Sequence, residues 1–154
     1  MGHGRLGVWG RARDPVSHVP LDSIVAGGVR DAPDVAALAS RDSHRVAILV
    51  WHYHDDDVAG PVADVQLECS GLPAGVREAR LTHYRVDDTH GNAYGAWTRM
   101  GAPVAPDPKQ YAELEAASAL ATLEEPRRVS VDDGSIALRF SLPRQGVSLL
   151  VLDY

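Results

Sequence analysis

Apolar and polar positions alternate with a period of two over much of this chain, which is the pattern of half-buried β-strands. In SIALRFSL, Ile136, Leu138, Phe140 and Leu142 fall on one face, with Ala137, Arg139 and Ser141 on the other. Val129 and Val131 precede that segment across the turn-forming Asp132-Asp133-Gly134, and together they predict a hairpin. The closing VSLLVLDY is apolar on both faces and predicts a central strand, with Pro143 and Gly146 framing the turn before it. Upstream, the apolar run RVAILVW (Arg45 to Trp51) follows VAALAS and the polar turn RDSH, which predicts a second hairpin. Val65, Leu67 and Cys69 alternate with Asp64, Gln66 and Glu68. After the turn SGLPAG, Ala79, Leu81, His83 and Arg85 alternate with Arg80, Thr82, Tyr84 and Val86. Short strands at this spacing predict a mainly β fold, an antiparallel β-sandwich.

Residues 92–123 break the alternation. Ala93, Trp97 and Met100 have helical spacing, and GAPVAPDP then interrupts it. A second helix is predicted with Asp107 as N-cap, Pro108 at its first position, and Tyr111, Leu114, Ala117 and Leu120 or Ala121 along one stripe. The expected architecture is therefore a β-sandwich with a small helical insertion.

A chain of 154 residues, 45% hydrophobic and 23% charged, suits one domain with a real core. The net charge of −6 argues against a nucleic-acid partner, since Arg127-Arg128 is not a basic patch able to neutralise phosphates. One cysteine, Cys69, cannot form an intrachain disulfide and reads as a small buried hydrophobe. The first residues, MGHGRLGVWGRARD, lack the apolar run of a signal peptide, and no stretch approaches the roughly 20 apolar residues of a membrane span. The expectation is a cytoplasmic protein with no membrane partner and no cofactor.

Two polar clusters invite a chemical reading. WHYHDDD (Trp51 to Asp57) sets His52 and His54 at i, i+2, where a strand would point both to one side as metal ligands. The plainer reading is a strand that ends near Tyr53 and is closed by Asp55, Asp56 and Asp57, so no metal is expected there. HYRVDDTHGNAY (His83 to Tyr94) gathers His83, Asp87, Asp88, His90, Asn92 and Tyr94 at a strand end. There Gly91-Asn92 is also a strong turn former, and Tyr94 can simply pack. Glycosidase chemistry would need two carboxylates flanking a scissile bond, and the sequence pairs none.

These same residues carry a resemblance. HYRVDDTHGNAYGAWTRMGAPVAPDPKQYAELEAASAL (His83 to Leu120) resembles a segment of family 39 glycoside hydrolases, the β-xylosidase family. That segment runs His-Tyr-Arg-Ile-Asp, a His-Ser-Asn-Ala-Tyr turn, Trp, Met-Gly-Ser-Pro and a Pro-containing helix. WHYHDDDVAGP (Trp51 to Pro61) resembles the family's Leu-Val-Trp-Asn-Tyr-His-Asp strand end, LRFSLPRQGVSLL (Leu138 to Leu150) its closing strands, and VPLDSIVAGGVRDAPDVAALASRD (Val19 to Asp42) also fits.

The resemblance covers residues 19–154 and implies an accessory β-sandwich with a helical insertion. Residues 1–18 match loosely and read as a join. Family members carry a (β/α)₈ catalytic barrel before this sandwich, and a barrel of about 250 residues exceeds the whole chain. The family's acid/base glutamate follows an asparagine, whereas the only asparagine here, Asn92, precedes Ala93. No catalytic residue can be carried over. The resemblance thus implies a detached or truncated accessory sandwich, inactive alone, whose parent hydrolyses O-glycosyl bonds in xylo-oligosaccharides.

The alternative is a free-standing carbohydrate- or protein-binding module. Expected partners are a separately encoded barrel or a second copy, met through an exposed docking face. His90, Asn92 and Tyr94 are the candidates for an active-site mouth or an interface.

Overall fold

The computed structural model describes residues 7–10, 34–53 and 60–154. Nine strands are described: β1 Gly7–Gly10, β2 Asp34–Arg41, β3 Arg45–Tyr53, β4 Ala63–Ser70, β5 Glu78–Val86, β6 Ala121–Thr122, β7 Arg127–Ser130, β8 Ser135–Leu142 and β9 Val147–Asp153. Two helices, α1 Ala93–Arg99 and α2 Pro108–Ser118, lie between β5 and β6. All described strand pairs are antiparallel. One sheet has the order β1-β4-β8, the other β2-β3-β9-β5-β6, and β7 also pairs with β5. The expected sandwich, its β2–β3 hairpin and the central place of the last strand are all present. Of residues 1–18, the expected join, only 7–10 are among the described residues.

Period-two burial explains how the sheets meet. Val46, Ile48 and Val50 of β3 alternate inward, as do Val65, Leu67 and Cys69 of β4 and Leu150 and Leu152 of β9. Together with Ile136, Leu138 and Leu142 of β8 they form one core cluster drawn from both sheets. Ile48, Leu142, Leu150 and Leu152 are fully enclosed, each contributing about 1.5–3 kcal/mol of transfer free energy. Cys69 is part of this core, and burial pushes its thiol above the usual value, which removes it as a nucleophile at neutral pH.

One sequence expectation is corrected here. Asp132-Asp133-Gly134 does form a two-residue turn, with φ of 50° at Asp133 and 71° at Gly134, closed by a mutual pair of 2.9 Å bonds between Asp132 and Ser135. Its arms are not a hairpin, however, because β7 pairs with β5 in the larger sheet while β8 pairs with β4 in the smaller. The turn carries the chain from one sheet to the other. Local sequence reports the reversal but not the strand each arm will find. At Gly134 a Cβ would lie 3.1 Å from the Leu72 carbonyl, in a left-handed backbone that side chains disfavour. Gly134→Ala is therefore expected to cost about 1–2 kcal/mol, read as a lower urea midpoint with an unchanged slope.

The two outer faces differ. That of the smaller sheet is polar, with Asp64, Gln66, Glu68 and Arg139. That of the larger sheet is apolar toward one end, where register aligns Leu38, Leu49, Leu149 and Tyr84 in one row and Trp51, Val147 and Val86 in the next, and charged at the other, where Arg45, Asp153 and Arg80 align. Leu38 and Leu49 of the first row are 66% and 37% exposed. Asp107 and Gln110 form a capping box at α2, as the Asp-Pro signal predicts, yet α2 has no buried residue and α1 buries only Ala96. The expected stripe on α2 is thus not a buried face: Tyr111 is exposed, and Leu120 and Ala121 lie beyond the helix. Among the described residues no helix is long and apolar enough to cross a membrane.

Candidate functional site

Toward one end of the sandwich the layer between the sheets turns polar. The alternation that sends Ala79 and Leu81 inward also sends His83 and Arg85 inward, and both are almost wholly buried. Ser148 of β9, opposite Arg85 in the ladder, is buried with them. His83 Nε2 and Ser148 Oγ are hydrogen-bonded at 2.9 Å, and the imidazole meets Phe140 edge-on at 4.9 Å between centroids. Burial, reinforced by the Arg85 and Arg127 charges against an opposing pull from Glu124, lowers His83 from 6.5 to about 4. The ring is neutral at physiological pH. A histidine beside a serine suggests nucleophilic catalysis, but Ser148 is 0% exposed, so no substrate can reach its hydroxyl. The pair is a polar cross-link of β5 to β9.

Arg85 extends the network toward the chain reversal after β5. One guanidinium nitrogen donates to the Ser141 carbonyl at 2.9 Å, and another lies 3.5 Å from Asp87 Oδ2. Its Nε is buried without a partner. The second Asp87 oxygen accepts from Thr89 N at 2.8 Å, Thr89 Oγ1 at 2.9 Å, His90 N at 3.0 Å and His90 Nδ1 at 2.9 Å. Burial opposes ionisation of Asp87, but hydrogen bonds from His90 and Thr89 outweigh it and hold the carboxyl at about 2. Asp87 is thus a fixed anion that neutralises a buried cation and shapes the 87–90 turn, closed by Asp87 N donating to the His90 carbonyl.

The three candidate residues follow directly. The His90 ring is half-buried against Asp87. Asn92 caps α1, its Oδ1 accepting from Gly95 N at 2.7 Å, after Gly91 turns the chain at a φ of 59°. Tyr94, 73% exposed, lies 5.7 Å from the Trp97 ring, whose Nε1 donates to the Pro103 carbonyl. His90 Nδ1 and Asn92 Oδ1 are therefore engaged locally, and Tyr94 presents a free surface.

The other cluster does not join them. His52 is enclosed, with Nδ1 3.1 Å from the Leu142 carbonyl. His54 and Asp55, Asp56 and Asp57 lie outside the described residues. Among the described residues no three His, Cys, Asp or Glu side chains gather as a metal site.

Sequence reasoning put Arg85 on the inward face without seeing its consequence, and it missed Ser148. The signals were a cation in phase with three buried neighbours, and a lone serine inside VSLLVL.

Comparison with known proteins adds a family. The model described as Glycosyl hydrolases family 39 matches residues 24–135, most of the chain and all of the 83–94 cluster. The family 39 enzyme from Xanthomonas axonopodis pv. citri superposes with a TM-score of 0.64 at 26% identity, over 76% of this chain and 25% of that one. A bacterial orthologue of human α-L-iduronidase gives 0.65 at 25% identity, over 80% and 22%. A monomeric β-xylosidase from Caulobacter crescentus shares the fold, with a TM-score of 0.60 at 23% identity over 76% and 26%. The chain spans about a quarter of the length of these enzymes.

Proposed function

Because the chain belongs to glycosyl hydrolases family 39, we propose that it forms the accessory β-sandwich of a β-xylosidase-like glycoside hydrolase and breaks no glycosidic bond by itself. The observation that carries this reading is the absence of an Asn-Glu acid/base pair: Asn92, the only asparagine, precedes Ala93 and caps a helix. Several of the described carboxylates support it, being engaged in structure. Asp87 is held by its turn and by Arg85, Asp107 caps α2, and Glu78, Glu124 and Asp153 pair with Arg128, Arg127 and Arg45. Retaining hydrolysis needs two carboxylates about 5–5.5 Å apart across an open cleft, free to hold and pass a proton. The purified chain is expected to release no aryl alcohol from an aryl β-xyloside above the buffer rate. Turnover abolished by a substitution within residues 1–154 would overturn the reading.

In the same reading, the catalytic part of the enzyme docks on the outer face of the larger sheet. The apolar rows through Leu38, Leu49 and Leu149 support this, because solvent is a poor neighbour for such a surface. His90, Asn92 and Tyr94 then belong to the turn and insertion that meet the catalytic part or the mouth of its active site. Tyr94 supplies the contact and the other two supply the shape. Without that partner, the chain is expected to self-associate and to bind a hydrophobic dye. Leu38→Glu together with Leu49→Glu should return it to monomer with little loss of fold. A wild-type chain that sediments as a strict monomer and binds no dye would remove this surface from consideration.

A further inference from the structure

At the charged end of the larger sheet's outer face, a groove of about 530 Å³ runs over β5 and β7. Glu78, Arg80, Arg128 and Asp153 line it, with Ala79 and Pro126 beside them. Register sets three of the four in one row: Arg80 of β5 stands directly opposite Asp153 of β9 on one flank and Arg128 of β7 on the other. Directly opposed residues share a face, with Cβ atoms about 4.5–5.5 Å apart. That face is the outer one, because alternation along β5 buries Ala79 and Leu81 and leaves Arg80 exposed. Glu78 is in phase with Arg80, and its Oε2 accepts from Arg128 Nη1 at 2.7 Å, which holds the Arg128 guanidinium beside the groove.

The charges around this groove do not balance. Glu78 is taken by Arg128, Asp153 by Arg45 at 2.6 Å, and Arg127, which also borders the groove, by Glu124 at 3.2 Å. The Arg80 guanidinium has no ion pair or hydrogen bond among the described residues. Across the ladder it meets a second arginine instead, and like charges directly opposed in a sheet repel. Among the described strand pairs this is the one place where two arginines are directly opposed. Arg128 is 81% exposed and gives one donor to Glu78, so its other donors remain for a ligand. Two guanidinium forks, one of them uncompensated, thus flank the groove. A carboxylate has two oxygens, which a single fork saturates. A tetrahedral oxyanion has oxygens for both forks, and a charge of two relieves the repulsion between them.

We propose that this groove is a binding site for a dianionic phosphate group, held between the Arg80 and Arg128 guanidinium groups. The groove is larger than a lone phosphate, and its Ala79 and Pro126 flank leaves room for the body of a phosphate monoester. Nothing here depends on the accessory role of the chain, and failure of the test below leaves that role untouched.

Inorganic phosphate and phenyl phosphate are the probes, titrated calorimetrically into the full chain at pH 8 in about 20 mM salt, where screening is weak. Saturable binding is expected with a Kd at or below about 5 mM. Acetate at the same ionic strength should bind at least tenfold more weakly. Tighter binding of phenyl phosphate identifies a monoester as the ligand, and equal binding identifies the free ion. Arg80 is exposed and unpaired, so Arg80→Gln should fold normally and weaken phosphate at least fivefold, while Arg80→Lys recovers part of the loss. Arg139→Gln removes an equal charge from the outer face of the smaller sheet and should leave the affinity unchanged. Phosphate should also shift the amide resonances of residues 78–81 and 127–129, and those of β4 should stay in place. No saturation by about 20 mM, equal binding of acetate, or equal losses from Arg80→Gln and Arg139→Gln would each overturn the proposal.

Discussion

Asp87→Ala is expected to lower the unfolding free energy by about 3–5 kcal/mol, because it strands a buried cation. The Arg85 side chain is 3% exposed and that of Asp87 8%, so water cannot replace the lost carboxylate. The guanidinium would keep its bond to the Ser141 carbonyl, while its Nε already lacks a partner. The same substitution removes the acceptor that Thr89 and His90 share. The double variant Arg85→Met with Asp87→Asn separates these causes. It removes both charges, retains an amide oxygen for the turn, and should cost far less than Asp87→Ala alone. Urea denaturation measures both. A loss below about 1 kcal/mol for Asp87→Ala would mean that the pair behaves as a solvent-screened surface pair and that the sandwich end is wetter than its burial indicates.

Acidification supplies the second large effect. Unfolded, His83 takes up its proton near 6.5; folded, burial and the Arg85 charge delay uptake to about 4. The unfolded state therefore binds more protons throughout that window. The contribution of His83 is fully present above pH 6.5 and is lost as pH falls to 4, amounting to about 3 kcal/mol. Asp87 acts in a lower window. Its folded value of about 2 against an ordinary 3.8 means that its contribution, about 2 kcal/mol, is present above pH 3.8 and lost toward pH 2. Urea midpoints at pH 7, 5.5 and 4.5 should fall steadily for the wild type. They should fall much less for His83→Leu with Ser148→Ala, which replaces the buried polar pair by apolar groups. Parallel decline in the two proteins would assign the acid sensitivity to other groups.

These two residues also show how far local pattern reaches. The alternation of Ala79, Leu81, His83 and Arg85 identifies one inward face, and the structure places all four there. What alternation cannot supply is the environment that face meets. Whether Arg85 ends in solvent or beneath β8 depends on a carbonyl 56 residues away. Likewise the pairing of Val129 with Ala79, 50 residues earlier, overrides the hairpin that Asp132-Asp133-Gly134 suggests. The helical insertion is legible for the same reason that its burial is not. Asp107, Pro108 and Gln110 act within one turn, whereas the apolar spacing of Tyr111, Leu114 and Ala117 carries no information on what will cover them.

By itself the sequence determined the mainly β fold, most of the strand positions, the Asp107 cap of the second helix, the inward identity of Cys69 and the family to which the motifs belong. Each of these rests on interactions between near neighbours in the chain or on an ordered string of residues. The tertiary structure alone decided that His83 pairs with Ser148, that Arg85 is enclosed, that the chain changes sheets at Gly134, and that Arg80 meets Arg128 beside a groove. Those outcomes depend on which distant strands become adjacent and on how much water that adjacency excludes. Desolvation and Coulomb energy respond to the final packing, and a period-two pattern fixes only the side to which each residue points.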